Sequence, residues 1–290
     1  MIKKVLKIAG IIVGIVVLVA AGYYLKASSS VQERMEQNYT VELEHLDIPT
    51  DTATLAYGKR LITTKGCDDC HGADLGGKVF IEDPGLGLII ASNLTKGKGG
   101  LPADFDGDDW LMALKHGLRD GKPLIFMPSH EYAHLSQEDM SAIIAYCSQI
   151  EPVDRELPNT EIGPIARILT DLGKFPLLPA EMINHSGKLK RNVKAEVSAE
   201  YGKYLSIACQ GCHRENMKGG DPVGPGFPDV ADISSTGNPG KWTTEQFVNT
   251  LRTGNTPEGK ILNPKDMPWT MTKAYTDLEL HALHLYLRSL

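Results

Sequence analysis

The longest apolar stretch of the chain lies near its N-terminus, where no charged residue occurs from Ile8 to Leu25. Eighteen residues in a helix are about 27 Å long, which is close to the thickness of the hydrocarbon core of a bilayer. Three lysines precede the stretch, so the positive-inside rule predicts a cytoplasmic N-terminus and an exported remainder. A cleavable signal peptide is the alternative, because the small residues at Val19–Ala21 could form a cleavage site. The length of the apolar run favours a retained anchor.

Further along the chain, apolar residues recur at helical spacing. Two amphipathic helices are predicted in this way, within residues 136–148 and 276–288. The first follows the sequence Ser136-x-x-Asp139 and the second follows Thr276-x-x-Glu279, both of which resemble capping boxes. No stretch alternates convincingly between polar and apolar residues. The fold class is therefore predicted to be mainly α.

An internal repeat is visible along most of the chain. Five features recur in the same order, and the repeat therefore indicates a duplicated domain. The matched pairs are residues 57–61 and 201–205, 67–71 and 209–213, 118–121 and 251–254, Met127-Pro128 and Met267-Pro268, and 136–148 and 276–288.

The repeat predicts the domain organisation. Two small helical domains are expected at residues 51–150 and 198–290, with a proline-containing connector at 151–197. Because the connector contains the apolar segment 162–169, we expect it to pack against the folded chain instead of acting as a flexible linker. Residues 1–26 are assigned to a transmembrane anchor and residues 27–50 to a juxtamembrane linker.

Four of the five cysteines lie in two runs with the sequence Cys-x-x-Cys-His. Two thiols at this spacing can form thioethers with the vinyl groups of one haem, and the adjacent imidazole can bind its iron. Zinc fits less well because each run offers only three ligands, and a thioredoxin-like dithiol would need a βαβ setting. The sequence therefore predicts two covalently bound haem c groups. Their attachment and proximal residues are Cys67, Cys70 and His71 for the first haem, and Cys209, Cys212 and His213 for the second.

The repeat also predicts a methionine as the sixth ligand of each iron. Met127 and Met267 follow the proximal histidines of their copies at nearly the same distance along the chain, and a proline follows each methionine. A thioether ligand raises the potential of a haem iron relative to a second imidazole. His130, His134 and Met271 are alternatives, but none has an equivalent residue in the other copy. Core filling is the ordinary role of a methionine.

One proline follows each proximal histidine at a similar distance along the chain. These prolines are Pro84, after His71, and Pro225, after His213. A carbonyl in such a loop could accept the Nδ1–H of the imidazole and fix its orientation. The alternative is that both are ordinary turn prolines.

Three further positions are expected to serve packing. Gly58 and Gly202 lie in the first helix of each copy, where a glycine lets another helix approach closely, and Tyr146 and Tyr286 are the expected partners. Cys147 aligns with a leucine of the second copy, so a buried apolar role is expected instead of a reactive thiol.

The charge of the chain excludes one class of partner and leaves another open. The net charge is −6 and the pI about 5.9, which argues against nucleic-acid binding. Residues 51–150 contain 9 lysines and arginines against 14 acidic residues, whereas residues 198–290 contain 9 against 10. The first domain is therefore a candidate docking face for a basic redox protein. A merely solvated acidic surface is the alternative.

Several segments resemble class I cytochromes c. They are the two Cys-x-x-Cys-His runs, Ser92-Asn93-Leu94-Thr95, residues 118–124, Met127-Pro128 with its following helix, and residues 173–181. More closely, they are similar to the cytochrome c subunits of membrane-bound alcohol and aldehyde dehydrogenases. The resemblance covers about residues 50–290. It implies two tandem class I cytochrome c domains with His/Met iron. Those subunits typically carry three haems, whereas this chain has two attachment runs.

The resulting hypothesis is an electron-transfer protein on the periplasmic side of a bacterial inner membrane. Iron with both histidine and methionine bound has no open position for a substrate, so we expect a carrier and not an enzyme. The expected donor and acceptor are redox proteins, namely a dehydrogenase, a quinol-oxidising complex or a terminal oxidase. A dihaem enzyme of the thiosulfate or peroxide type, or a fixed cytochrome subunit of a dehydrogenase or oxidase complex, remains the alternative.

Overall fold

The computed structural model describes residues 2–191, 193–223 and 227–290. It is 47% helical and 8% strand, which confirms the prediction of a mainly α fold. The helices are α1 (Ile2–Met35), α2 (Thr52–Thr64), α3 (Cys67–His71), α4 (Gly107–Leu111), α5 (Ser129–Tyr132), α6 (Gln137–Cys147), α7 (Pro164–Asp171), α8 (Ala199–Leu205), α9 (Ile207–His213), α10 (Asn238–Lys241), α11 (Thr244–Thr253) and α12 (Asp277–Leu287). A π-helical turn at Met112–His116 continues α4, and 3₁₀ turns lie at Pro179–Met182 and Trp269–Ala274.

The structure also contains short strands, which the sequence pattern does not reveal. They are β1 (Lys78–Asp83), β2 (Gly87–Ala91), β3 (Leu118–Arg119), β4 (Lys122–Pro123) and β5 (Glu161–Ile162). An antiparallel sheet in the order β1-β2-β5 is formed, and β3 pairs with β4 in a short hairpin. The pattern hides the main hairpin because a bulge between Val79 and Ile81 interrupts the alternation and because β1 is largely solvent-exposed.

The chain divides into two compact units that do not follow chain order. The first unit contains residues up to 44 together with 70–133 and 150–187, and the second contains residues 45–69, 134–149 and 188–290. The predicted domain boundaries follow chain order and stay a prediction.

In the first unit, the connector packs against the N-terminal helix α1. Val31, Leu177 and Leu178 are buried together, which confirms the expectation of a packed connector. α1 is long and apolar enough to cross a membrane. The helix does not end with the apolar run, since it continues to Met35 through part of the predicted juxtamembrane linker.

In the second unit, two pairs of helices cross at the glycines. A Cβ atom at Gly58 would lie 2.0 Å from the carbonyl oxygen of Ala142, and one at Gly202 would lie 2.0 Å from that of Ala282. The Cβ atoms of Tyr146 and Tyr286 would also be closer than 3.0 Å to these positions. The predicted packing role of both glycines is confirmed, because only glycine allows α2 to approach α6, and α8 to approach α12, this closely.

The caps of the two closing helices, α6 and α12, differ in one respect. Thr276 and Glu279 form a reciprocal capping box, in which the Glu279 carboxylate accepts from the backbone N–H of Thr276 at 2.6 Å. Ser136 caps the N–H of Asp139 at 3.1 Å, but the N–H of Ser136 donates to the hydroxyl of Tyr204 at 3.0 Å. Only half of the first predicted capping box is therefore formed, because the Ser136 side chain caps Asp139 but the Asp139 side chain does not accept from the Ser136 N–H.

Candidate haem-iron centres

The first Cys-x-x-Cys-His run forms the single-turn helix α3, which ends at His71. The imidazole Nδ1 of His71 lies 2.7 Å from the backbone carbonyl oxygen of Ser92. A carbonyl can only accept, so Nδ1 carries the proton and donates it. The Nε2 lone pair is then available to a metal, and the hydrogen bond fixes the plane of the ring.

The second run repeats this arrangement. It forms α9, which ends at His213, and the Nδ1 of this imidazole lies 2.8 Å from the backbone carbonyl oxygen of Ala231. The two independent runs therefore present the same tautomer, with the same nitrogen available.

The hydrogen-bond acceptor of His71 differs from the one that the sequence suggested. The carbonyl that orients His71 belongs to Ser92 at the end of the β1–β2 hairpin, and not to the loop at Pro84. Pro84 lies in the hairpin turn between the two strands, well before the acceptor in the sequence. Pro225 lies outside the described residues, and the observed acceptor for His213 is Ala231.

Both histidines are followed by the same turn, which explains where the acceptors lie. The backbone N–H of Gly77 donates to the carbonyl of His71 at 2.8 Å, and that of Gly219 donates to His213 at 3.0 Å. Both glycines have a positive φ, +79° and +61°. Leu75, buried within the first turn, also has a positive φ of +53°.

The residue equivalent to Leu75 in the second copy is Met217, with φ of +58° and no exposed surface. The carbonyl of Leu75 accepts from Leu94, and that of Met217 accepts from Ile233, at 2.8 and 2.9 Å. In both copies the residue whose carbonyl faces the imidazole lies two positions before the donor of this bond. It is Ser92 before Leu94, and Ala231 before Ile233. A buried side chain held at positive φ is costly, and two occurrences at equivalent positions identify the turn as a shared structural requirement.

The carbonyl acceptors at Ser92 and Ala231 have a sequence signal of their own, outside the Cys-x-x-Cys-His runs. The residue after each acceptor, Asn93 or Asp232, turns its side chain back onto the chain. It accepts from the N–H and the hydroxyl two residues later, at Thr95 and Ser234 respectively, with distances of 2.7 to 2.9 Å. An Asn or Asp followed two residues later by Ser or Thr is an Asx-turn sequence. Its presence in both copies could have located the acceptors.

Burial lowers the pKa of both imidazoles below the ordinary histidine value. For His71 and His213 this effect exceeds the opposing effect of the hydrogen bonds to the Ser92 and Ala231 carbonyls. Both rings are therefore neutral at pH 7. A neutral imidazole with a free nitrogen is the form that binds iron.

The two candidate methionines lie in matching turns. The carbonyl of Met127 accepts from Ser129 and that of Met267 accepts from Trp269, each at 2.7 Å. The following prolines have nearly the same conformation, with φ and ψ of −77° and 50° for Pro128 and −76° and 58° for the second proline. Both methionine side chains are half-buried. The equivalence of the turns supports an equivalent role, and ligation itself stays a prediction.

One matched feature of the sequence repeat is wrong. Leu118-Arg119 forms strand β3, whereas Leu251-Arg252 lies within helix α11. The structural equivalents are the glycines that end the preceding helices, Gly117 and Gly254, with φ of +65° and +75°. Each accepts a hydrogen bond from a leucine amide, Leu124 at 2.7 Å and Leu262 at 2.8 Å. The true match is therefore residues 114–117 with 251–254.

The alternative ligands are placed differently. His134 is exposed, and His130 and Met271 are half-buried. His130 lies in α5 and Met271 in the 3₁₀ turn, both after the Met-Pro turn. None of the three has a residue of the same type at the equivalent position of the other copy, where Thr270, Ala274 and Glu131 stand.

The fifth cysteine confirms its predicted packing role. Cys147 lies at the end of α6 and is 6% exposed. Burial, and to a smaller extent the neighbouring Cys67, raises the pKa of its thiol well above the ordinary value. The thiolate form that reacts or binds metals is therefore disfavoured. All five cysteines lie in the described part of the chain, and none of them is in a disulfide.

The residues present fit covalent haem. Each Cys-x-x-Cys-His helix offers two thiols outside any disulfide and a neutral imidazole with Nδ1 already bound to a carbonyl. A thiol pair and an oriented imidazole at this spacing define a covalent-haem protein. The sequence profile of the cytochrome c family matches residues 55–151 and 199–290, which is more than half of the chain. The chain belongs to the cytochrome c family.

Named relatives point to one group within this family. The chain is 26% identical over 259 residues to the fructose dehydrogenase cytochrome subunit of Gluconobacter japonicus, covering 81% of this chain and 52% of that protein. It is 24% identical over 277 residues to the alcohol dehydrogenase (quinone) cytochrome c subunit of Gluconacetobacter polyoxogenes, covering 83% and 56%. It is 30% identical over 123 residues to the gluconate 2-dehydrogenase cytochrome c subunit of Pantoea cypripedii, covering 40% and 28%.

These relatives confirm the expected resemblance to dehydrogenase cytochrome subunits. Each of them is named as a cytochrome subunit, which agrees with the prediction of an electron carrier. The chain spans about half the length of the first two relatives.

Proposed function

We propose that this protein is a membrane-anchored dihaem cytochrome that transfers electrons between redox proteins on the periplasmic side of a bacterial inner membrane. The observation that carries the proposal is the duplicated imidazole geometry. His71 and His213 end two separate Cys-x-x-Cys-His helices, and each donates Nδ1–H to a backbone carbonyl. Two equivalent metal-ready imidazoles support two haems in one chain.

Each haem would be held by four residues of one copy. A bound haem supplies a one-electron iron centre. The chain would attach it by thioethers, orient the imidazole ligand through a backbone carbonyl, and supply the thioether sulfur of the Met-Pro turn as a further iron ligand. The residues in these roles are Cys67, Cys70, His71 and Met127 for the first haem, and Cys209, Cys212, His213 and Met267 for the second.

The proposed electron donor is a dehydrogenase. Support comes from the relatives, which are cytochrome subunits of fructose, alcohol and gluconate dehydrogenases. The proposed acceptor is a quinol-oxidising complex or a terminal oxidase. The apolar helix α1 supports a single-pass anchor, with the lysines before it on the cytoplasmic side.

The number of haems is tested by mass. Full-length protein expressed with the haem-attachment machinery should carry two haem masses and stain for haem on a denaturing gel. Replacing Cys67 and Cys70 together by alanine should remove one haem, and the same change at Cys209 and Cys212 should remove the other. Cys147→Ala is the matched control and should retain both. A wild-type mass with one haem or none contradicts the proposal.

The methionine ligands are tested by spectroscopy and potential. Oxidised protein should show the near-infrared sulfur-to-iron band, and Met127→His should remove about half of its intensity and lower one midpoint potential. Met267→His should do the same for the other centre. Met271→Leu is the control and should change neither. If the band survives Met127→His in full, His130 or His134 becomes the better candidate for the first iron.

A further inference from the structure

The connector helix α7 ends in a turn that exposes one apolar and one cationic side chain. Leu172 follows the helix and is 54% exposed, and Lys174 two residues later is also exposed. The backbone N–H of Lys174 donates to the carbonyl of Leu169 at 2.7 Å. Gly173 between them has a φ of +66°, as a left-handed helix end requires. The turn is therefore a defined structure.

Polar contacts fix α7 antiparallel to α1. At the end of α7, the Asp171 carboxylate accepts from the hydroxyl of Tyr23 at 3.1 Å and from the ammonium group of Lys26 at 3.0 Å. One turn earlier in α7, Arg167 donates to the carbonyl of Ser28 at 3.2 Å. Residues later in α7 thus contact residues earlier in α1, and the end of α7 points towards the apolar run.

Small buried residues hold the two helices together. Ala27 and Val31 of α1 have no exposed surface, and Ala166 and Thr170 of α7 are at most 3% exposed. In both helices these residues are four apart, which places each pair on one face. Packing and polar contacts therefore fix the height of the turn along α1.

That height coincides with the end of the apolar run. Tyr23 lies within the uncharged segment Ile8–Leu25, and Asp171, which bonds to it, directly precedes Leu172. If α1 spans a bilayer, the turn lies at the depth of the lipid headgroups. Tyrosine is enriched at this depth in membrane helices.

We infer that the turn at residues 172–174 is a second membrane contact, in which Leu172 enters the headgroup region and Lys174 lies among lipid phosphates. The inference rests on the proposed anchoring of α1. An apolar side chain with an adjacent cation is the combination that favours binding at the interface of an anionic membrane. A single exposed leucine is common on the surfaces of soluble proteins. Leu172 differs because it lies beside the end of the apolar run of α1 and because Lys174 lies next to it.

The second contact would restrict how the first unit is oriented. A single transmembrane helix leaves the part it anchors free to rotate and tilt. Because α7 is fixed to α1, a contact beside α1 would favour one tilt of this unit. The unit includes His71 and Met127.

The test compares two positions on α7 in full-length, haem-loaded protein. Leu172→Cys and Ile165→Cys are labelled with the fluorophore NBD in nanodiscs of phosphatidylethanolamine and phosphatidylglycerol. Ile165 is a matched control because it is 51% exposed on the same helix, and seven residues correspond to about 10 Å. Quenching is measured with a doxyl lipid and, separately, with aqueous iodide. The parent chain should remain unlabelled, because four cysteines carry haem in the proposal and Cys147 is buried.

The ratio of lipid to iodide quenching should be several-fold higher at Leu172→Cys than at Ile165→Cys. Equal ratios at the two positions would overturn the inference, and so would a label at position 172 that neither quencher reaches, since this indicates a protein contact. Leu18→Cys in the apolar run separates the two proposals. Strong lipid quenching at position 18 with equal ratios on α7 refutes the second contact alone. Iodide quenching at position 18 refutes the anchor itself.

Discussion

Two buried carboxylates occupy equivalent positions in the two copies, and their surroundings differ. Asp139 and Glu279 are each the third residue after the cap of a closing helix, and both lie in the second unit. The hydroxyl of Tyr57 donates to Asp139 at 2.6 Å, and the equivalent Tyr201 lies 3.4 Å from Glu279. Each carboxylate thus has a tyrosine partner from its own copy.

The second partner of each carboxylate comes from the other copy. Tyr204 donates to Asp139 at 2.6 Å, and Arg60 donates to Glu279 with two nitrogens at 2.7 and 3.0 Å. Arg60 and Tyr204 are themselves equivalent, since each is the fourth residue of the repeated Tyr-Gly-Lys-x-Leu sequence. One substitution between the copies therefore makes one site an ion pair and the other a cluster of neutral donors.

The protonation of these groups follows from the same difference. Burial opposes ionisation of Glu279, but the hydrogen bonds from Arg60 and from the Thr276 backbone outweigh it and lower its pKa. Burial, together with Asp139, raises the pKa of Tyr57 and Tyr204 far above the ordinary tyrosine value. Both tyrosines are therefore neutral donors at pH 7. A duplicated position can thus be stabilised either by charge or by neutral hydrogen bonds.

The largest expected effect is the loss of the Arg60 side of the ion pair. Arg60→Met leaves the Glu279 carboxylate, whose side chain is 6% exposed, without its cation. Removing one partner of a buried ion pair costs about 3 kcal/mol, the lower end of the usual range, because the Arg60 side chain is 28% exposed. The measurement is urea unfolding of the haem-loaded protein in detergent.

A double variant provides the control for Arg60→Met. Adding Glu279→Gln removes the unpaired charge, so the double variant should recover part of the lost stability. If the double variant is less stable than Arg60→Met, the buried charge is not the cause of the loss.

Much of the fold could be predicted because its signals are local. The caps at Ser136 and Thr276 and the glycines at the helix crossings are read from short sequences, and the structure confirms them. The β1–β2 hairpin could not be recognised because its bulge breaks the alternation. The pairing of Arg60 with Glu279 was also inaccessible, since 219 residues separate them.

The candidate haem-iron centres also combine features that the local sequence reveals with features that it does not. The Cys-x-x-Cys-His runs carry their chemistry in side chains and were recognised directly. The acceptors at Ser92 and Ala231 act through backbone carbonyls, which any residue provides. Leu118 and Leu251 begin similar short sequences but lie in different structures, because the feature that the two copies share is a left-handed glycine that ends a helix.

A smaller effect is expected when tyrosine hydroxyls are removed, and it should differ between the copies. The hydroxyl of Tyr204 donates to Asp139 and accepts from the N–H of Ser136, so Tyr204→Phe leaves both groups without that partner. We expect a loss of about 2 kcal/mol. Tyr201→Phe removes one long hydrogen bond to Glu279, which keeps Arg60, and should cost at most about 0.5 kcal/mol. Thermal unfolding of both variants, side by side, is the measurement; equal losses would contradict the asymmetry.

The cap side chains should show no asymmetry. Ser136 and Thr276 each accept from the N–H three residues later, at 3.1 and 3.2 Å. Each alanine substitution should therefore cost about 1 kcal/mol. Urea unfolding of Ser136→Ala and Thr276→Ala tests this. Clearly unequal losses would show that the partner of the cap N–H, Tyr204 in one copy and Glu279 in the other, also determines the strength of the cap.

The smallest effect is expected from pH, because it acts on Glu279 only through partial protonation. The pKa of Glu279 in the folded chain lies below the ordinary glutamate value of 4.5. Its stabilising contribution is therefore complete above pH 4.5 and is lost as the pH falls through the lower folded pKa. Other carboxylates of the chain also take up protons in acid, so the quantity to follow is the stability of wild type minus that of Glu279→Gln. This difference should be constant from pH 7 to about pH 5 and should shrink below it. A difference that grows as the pH falls would mean that burial, and not Arg60, controls the carboxylate.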